Sequence, residues 1–206
     1  MGTPKDSEKT RAKIIAAAGQ LFAEKGFNAV SVREIAQLAE TQISALNYHF
    51  RGKETLYREV LFAACKQSSF TQEDQDQLLR LAPKDALYLI ISEAIKEYRN
   101  KSANNWQNAL LARESLEAGT VFTDVAKVYL KPQADFVAKI VASVVGKSPT
   151  DEHVRFAVIT LFGLLDTFGL HDHLVDAIAP GLHNHLSKRK RLEKQLFTLV
   201  VTTAKG

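Results

Sequence analysis

The chain predicts an all-α fold of about nine helices, and three observations carry that expectation. Proline and glycine are scarce, 5 and 10 in 206 residues. Apolar residues recur at three- and four-residue spacing along nearly the whole chain, and no stretch alternates apolar and polar residues as a strand would. With 46% hydrophobic and 24% charged residues, the composition is globular, which excludes a disordered chain. The single cysteine, Cys65, has no partner for an internal disulfide, and no run of about 18 apolar residues occurs. A reduced, cytoplasmic protein with no membrane partner is the expectation. The net charge of +4 is compatible with nucleic acid without demanding it.

Ile14, Ile15, Ala18, Leu21 and Phe22 form an apolar stripe that Gly26 ends, which is a first helix. Residues 1–10 before it are expected as a flexible arm. Ser31, with Glu34 three residues on, makes a capping box for a short second helix whose Val32, Ile35, Ala36 and Ala39 face inward. A third short helix carries Leu46 and Phe50 on one face and stops at Arg51-Gly52. A fourth runs from Lys53 to about Lys66. The polar stretch Gln67 to Asp76 lacks an apolar period and reads as a linker. Pro83 opens a helix through Leu87, Ile90, Ile91, Ala94 and Ile95, and another centres on Trp106 to Leu116. A longer helix spans about Phe122 to Val145, with Pro132 as a kink or break.

From Thr150 to Phe168 almost no polar face remains, because Phe156, Ala157, Val158, Ile159, Leu161, Phe162, Leu164 and Leu165 crowd the pattern. A helix apolar all round must be covered on all sides. A second subunit is the expected cover, with Leu165 in the interface. The last helix, about Arg189 to Ala204, would complete a bundle with its symmetry mate, so a homodimer through these last two helices is expected. The domain expectation is an arm at 1–10, a helix-turn-helix domain at 11–58 and a larger helical dimerisation and effector domain at 59–206.

Two short helices joined by a tight turn, the first capped and the second ending in aromatic and polar residues, fit a helix-turn-helix. With Leu46 and Phe50 in the core, Ser44, Asn47 and Tyr48 fall on other faces, within reach of base edges and phosphates. Asn47 suits adenine, whereas Tyr48 and His49 suit phosphates. Lys53 places an ammonium beside the free N–H groups that open the next helix, a further phosphate site.

The segment from Arg11 to about Val60 resembles the DNA-binding domain of TetR/AcrR-family transcriptional regulators, in "KIIAAAGQLFAEKGF", "SVREIAQLA" and "NYHFRGKETLY". Beyond Pro83, "LLARESLEAG" and "VYLKPQADFVAKIVASVVG" look like the C-terminal domain of the CecR-like branch. The resemblance implies a regulator, most often a ligand-responsive repressor, that binds a palindromic double-stranded DNA operator as a dimer. It implies DNA contacts at Ser31, Val32 and Arg33, and at Gln42, Ile43, Ser44, Asn47, Tyr48, His49 and Lys53. Glu40, Thr41 and Gln42 depart from the family's usual Gly, Val and Ser or Asn. Glu40 stands where a conformationally permissive residue is usual and brings a carboxylate toward a polyanion. The spacing of Ile43 from Leu46 and Phe50 suits core packing, while the family register turns it to the groove, toward a thymine methyl. The register is the preferred reading.

The rival reading is a metal-binding sensor or enzyme built on His171-x-His173 and His183-x-His185, with Asp172 and Asp176 between them. Neither pair has the i, i+4 spacing that puts two ligands on one helix face. No Ser-His-Asp set, phosphate loop or activated cysteine stands out, so no catalytic residue and no cofactor are expected. For an unknown small-molecule effector the candidates are Trp106 and Arg113 on one helix face and Phe162 and Asp166 on another. Arg113 is alternatively a surface partner of Glu117. Asp166, in so apolar a helix, needs a partner or a pocket. Lys188 to Arg191 reads as a solvated basic run.

Overall fold

The computed structural model describes residues 4–206 except 68, 100–105, 118 and 183–185. Among the described residues the chain forms α1 (Pro4–Lys25), α2 (Val32–Leu38), α3 (Ile43–Phe50), α4 (Lys53–Gln67), α5 (Gln72–Leu79), α6 (Pro83–Arg99), α7 (Trp106–Glu117), α8 (Thr120–Val125), a π-helical segment (Ala126–Leu130), α9 (Lys131–Val145), α10 (Glu152–Leu170), α11 (Asp172–Ile178) and α12 (Leu186–Lys205). No strand occurs among them. The extra segments are α5, α11 and the division of the expected 122–145 helix, and the expected arm is helical as well.

The expected arm is helical from Pro4, whose fixed φ suits a first helical turn, with Asp6 in that turn to complement the helix dipole. The expected linker runs into α5, which begins at Gln72. Thr71 and Asp74 exchange side-chain and backbone hydrogen bonds in a capping box, and Gln72 donates to Asp76 one turn on. A helix burying only Leu78 has no stripe to betray it. The expected long helix at 122–145 is interrupted by the π turn. Pro132 has no N–H to close the preceding α-helical turn, and a widened turn is one way a chain absorbs that loss.

The chain packs into two compact units, Met1–Ser69 with Ser102–Leu130, and Phe70–Lys101 with Lys131–Gly206. This packing cuts the chain differently from a single boundary after residue 58. In the first unit, Leu110 of α7 and Val125 of α8 join Ile14, Ala18, Phe22, Ile35, Leu46, Phe50, Leu56 and Leu61 in one buried cluster. Trp106 and Arg113 also turn toward α1. A Cβ on Gly19 would lie 2.5 Å from the Trp106 indole, and one on Gly26 would lie 2.8 Å from the Arg113 guanidinium. Both glycines and both long side chains are seven residues apart, so α1 and α7 run alongside each other in the same direction. Only glycine leaves room for that approach, and Gly26 also has a φ of 79°.

The second unit packs α6, α9, α10 and α12 around Leu87, Ile91, Val137, Val141, Val154, Leu161, Val200 and Ala204. Asp151 caps α10 by accepting from the N–H groups of His153 and Val154. A half-buried polar clamp joins α6 to α12. Ser92 Oγ donates to Glu193 Oε1 at 3.0 Å, and Arg189 Nε donates to the same oxygen at 2.8 Å. Arg189 therefore belongs to this clamp, while Lys190 and Arg191 are exposed.

On α10 the apolar residues divide. Val154, Ala157, Val158, Leu161 and Leu165 are core, whereas Phe156 and Ile159 are 62% and 67% exposed. Leu165, expected at an interface, is 5% exposed and packs inside its own unit. Leu165→Asp should therefore lower stability by about 3–5 kcal/mol in urea unfolding, through a buried uncompensated charge. Gly19→Ala should cost about 1–3 kcal/mol by overpacking against the indole, read by the same measurement.

Candidate nucleic-acid interface

The candidate interface is built on two short helices that follow α1. Ser31 caps α2 as the sequence predicts. Its Oγ accepts from Glu34 N–H at 3.2 Å, and Glu34 Oε2 accepts from Ser31 N–H at 2.8 Å. Lys25 Nζ adds an ion pair to Glu34 Oε1 at 2.9 Å, a partner nine residues away that no local pattern announces. The Lys25 and Ser31 hydrogen bonds hold the Glu34 carboxyl down from its usual 4.5 to about 2. Val32 is half-buried against the core, while Arg33 is exposed and has no ion-pair partner among the described residues.

The α2–α3 turn closes with Glu40 N–H donating to Gln37 O at 3.2 Å and Thr41 N–H donating to Ala36 O at 2.9 Å. These two bonds satisfy the last carbonyls of α2 and place Glu40 where glycine is usual. Glu40 takes a φ of 51°, a left-handed conformation that a side chain makes costly. It sits there exposed.

Gln42 begins α3 without a side-chain cap, so the first N–H groups of this helix are open to solvent or an anion. Leu46 and Phe50 are fully buried, while Ala45 and His49 are half-buried. Ser44 and Asn47 are exposed, Tyr48 is 80% exposed and Ile43 44%. Ile43 is exposed although its spacing sets it on the Leu46–Phe50 side of the helix. His49 is half-buried between the rings of Tyr48 and Phe50, with centroids 5.2 and 5.9 Å away. Arg11, which sequence reasoning did not single out, lies 5.3 Å over the Phe50 ring and donates to Glu59 Oε2 at 2.7 Å.

Lys53 behaves differently from its neighbours. Its ammonium donates to the carbonyls of Phe27 and Val30, each at 2.9 Å, and lies 4.3 Å from the Phe27 ring centroid.

The effector candidates separate. Trp106 and Arg113 lie in the first unit against Gly19 and Gly26, whereas Phe162 and Asp166 lie on α10 in the second. Arg113 Nε is buried and has no hydrogen-bond partner among the described residues. The Glu117 side chain lies outside them. Phe162 is half-buried against the second core, and Asp166 is already engaged. Among the described residues no group of three His, Cys, Asp or Glu is arranged to hold a metal ion. His171 and His173 are exposed, while His183, His185 and the Asp172 side chain lie outside the described residues. No described helix is long and apolar enough to cross a membrane.

A buried-face helix presenting exposed Ile43, Ser44, Asn47 and Tyr48 after a capped helix and tight turn defines a helix-turn-helix protein. Residues 14–60 match the family described as bacterial regulatory proteins, tetR family, and residues 83–206 match the C-terminal domain of the HTH-type transcriptional dual regulator CecR. The chain belongs to the TetR family, in its CecR-like branch.

Over 83 residues it is 40% identical to the HTH-type transcriptional regulator YttP of Bacillus subtilis, covering 35% of this chain and 40% of that protein. Over 49 residues it is 43% identical to the HTH-type transcriptional regulator QacR of Staphylococcus aureus, covering 24% and 26%. Over 59 residues it is 36% identical to the HTH-type transcriptional repressor KstR2 of Mycolicibacterium smegmatis, covering 29% of each. The matched part thus spans two fifths or less of these curated relatives. Solved structures share the fold over nearly the whole chain. The hemolysin II transcriptional regulator HlyIIR superposes with a TM-score of 0.59 at 18% identity, covering 95% of this chain and 97% of that one. A TetR-like regulator from Rhodococcus sp. RHA1 gives 0.65 at 16%, covering 93% of each.

Two outcomes test this local chemistry. Glu40→Gly should raise unfolding stability by about 0.5–1 kcal/mol, the left-handed strain removed less the added chain entropy of glycine. Glu34→Gln should be less stable than the parent at neutral pH. A depressed carboxyl pKa contributes stability above the unfolded value and loses it on acidification. The difference should therefore shrink as pH falls from 4.5 toward about 2, followed by thermal melts across that window.

Proposed function

We propose that the protein is a DNA-binding transcriptional regulator, most simply a ligand-responsive repressor that grips a palindromic operator as a homodimer. The observation that carries this is α3. Its inner face is sealed by Leu46 and Phe50, and its outer face offers Ile43, Ser44, Asn47 and Tyr48 to a major groove. Ser31, Val32 and Arg33 at the start of α2 would hold one phosphate strand, and Gln42, Tyr48 and His49 another, while Asn47 reads a base. Likeness to the named regulators over the N-terminal segment supports this assignment.

The dimer is proposed through the outer faces of α10 and α12, which are neighbours in the second unit. Phe156 and Ile159 lie exposed there, and Gly163 has open space where a side chain would be. On α12, an open groove of about 500 Å³ is lined by Arg191, Lys194, Gln195, Thr198, Leu199 and Thr202. A symmetric pairing would cover the exposed apolar residues of α10 and Leu199 of α12. An effector acting on α7 would reach the reading helices through Trp106 and Arg113, because those side chains fill hollows in α1. Binding one arrangement of the dimer more tightly than the other would shift the population away from the spacing of about 34–36 Å that adjacent half-sites require.

Selection of bound duplexes from a random pool at about 150 mM salt, where weak phosphate attraction is screened, tests the reading. Enrichment of one palindrome is expected; a folded dimer that enriches nothing overturns it. Asn47→Ala should relax preference at one base position at a cost of about 1–3 kcal/mol, read by competition between operator variants. Ile159→Asp should leave a folded monomer with weakened operator binding, measured by light scattering and titration.

A further inference from the structure

We propose that Glu114 anchors a binding site for an organic cation, a ligand with an ammonium head on an apolar body, on the flank of α7 that faces α4. This deepens the ligand-responsive reading above and rests on it. Among the described residues four polar side chains are buried, Gln107, Asn108, Glu114 and Glu193. Three of them lie on α7. Glu193 is held by Ser92 and Arg189, and Gln107 and Asn108 are engaged. Glu114 is 6% exposed and has neither a hydrogen bond nor an ion pair among the described residues. A carboxylate in that position costs stability unless something supplies the missing charge.

Trp106, Leu110 and Arg113 recur at four and three residues and form the face of α7 that meets α1. Gln107, Leu111 and Glu114 repeat that spacing one position on, about 100° around the helix. That flank turns toward α4, the other helix against which α7 packs. Arg113, next to Glu114 in the chain, is directed at Gly26 of α1 instead. On α4, Arg58 lies 5.2 Å over the Phe62 ring and is paired with Asp124 at 3.0 Å. Neither cation balances Glu114. α4 packs in turn against α8 and the π-helical segment. Phe62, Val121 and Tyr129 from these three elements are partly exposed where they join the first core, and the Phe62 and Tyr129 rings meet edge to face at 5.6 Å.

This chemistry selects the ligand. An ionised carboxylate only accepts hydrogen bonds, so its match is an N–H donor that carries positive charge. Aromatic faces favour the same charge, and apolar neighbours favour an apolar body behind it. A metal ion fits less well, because no group of three His, Cys, Asp or Glu among the described residues is arranged to hold one. Trp106 and Arg113 fill hollows of α1 from the same helix, so a ligand seated at Glu114 acts on the helix that braces the reading head.

The test is calorimetry on the full chain without DNA. The probes are phenylalkylammonium ions of graded chain length, beside the neutral alcohols of the same lengths. At least one ammonium should bind saturably and about tenfold tighter than its alcohol, and Glu114→Gln should erase that difference. Equal affinity for ammonium and alcohol, a preference retained in Glu114→Gln, or no binding by any ammonium would overturn the proposal. Thermal melting of Glu114→Gln adds a reading that needs no ligand. An unpaired buried carboxylate gives a variant that melts at or above the parent. A lower melting point would show that Glu114 has an internal partner, which overturns the proposal equally. No operator enters these measurements, so their failure is distinct from that of the DNA-binding reading, which fails when a folded dimer selects no duplex.

Discussion

An eight-residue helix does not hold itself together in water, because the cost of nucleating it exceeds what so few backbone bonds return. α3 exists because Leu46 and Phe50 are buried in the first core. That one pair of side chains fixes both that the helix forms and which way it faces. Arg11 then closes over Phe50 from α1 while holding Glu59 of α4, so the two longer helices of the reading head meet across the anchor of the short one. The outward set of Ser44, Asn47 and Tyr48 is a geometric consequence of this burial. None of those side chains needs a bond of its own to be presented.

The charged groups near α2 divide by what they hold. Lys25 and Lys53 are bound inward, to a carboxylate and to two carbonyls, and Arg33 is left to solvent. The charge of Lys25 is balanced by Glu34, whereas that of Lys53 is held by neutral carbonyls and keeps its field. A net charge of +4 over 206 residues is modest, so long-range attraction to a polyanion is weak and recognition must come from shape and from specific contacts. A reading head whose loop is tied down on both sides is suited to that, because it loses little freedom on docking.

Much of the architecture was legible where structure is local. The Ser31–Glu34 capping box, the i, i+4 pair Leu46 and Phe50 and the stop at Gly26 each act within one or two turns, and each stands where the pattern put it. The departures arise where a helix is stabilised without a stripe or by something distant. α5 is polar, capped and nearly unburied, so hydrophobic periodicity is silent about it. On α10 the pattern was too apolar to reveal which side was core, and the split between Leu165 inside and Ile159 outside needed the partners α6, α9 and α12. The place of Lys53 at a helix start is local information, while the two carbonyls it bonds lie more than twenty residues away. Trp106 and Arg113 likewise pack against residues far away in the sequence. Nothing near them in sequence announces two glycine hollows in α1.

Those hollows bear on how separable the reading head is. Leu110 and Val125 have no exposed surface, and the Trp106 indole sits where any side chain at residue 19 would collide. A graft that carried only residues 11–58 into another scaffold would bring along a groove on α1 shaped for an absent helix, with apolar surface open to water. Chimeric regulators built from this protein would have to transplant two discontinuous stretches of chain together. The seam that looks natural in the primary structure runs through the middle of a packed core.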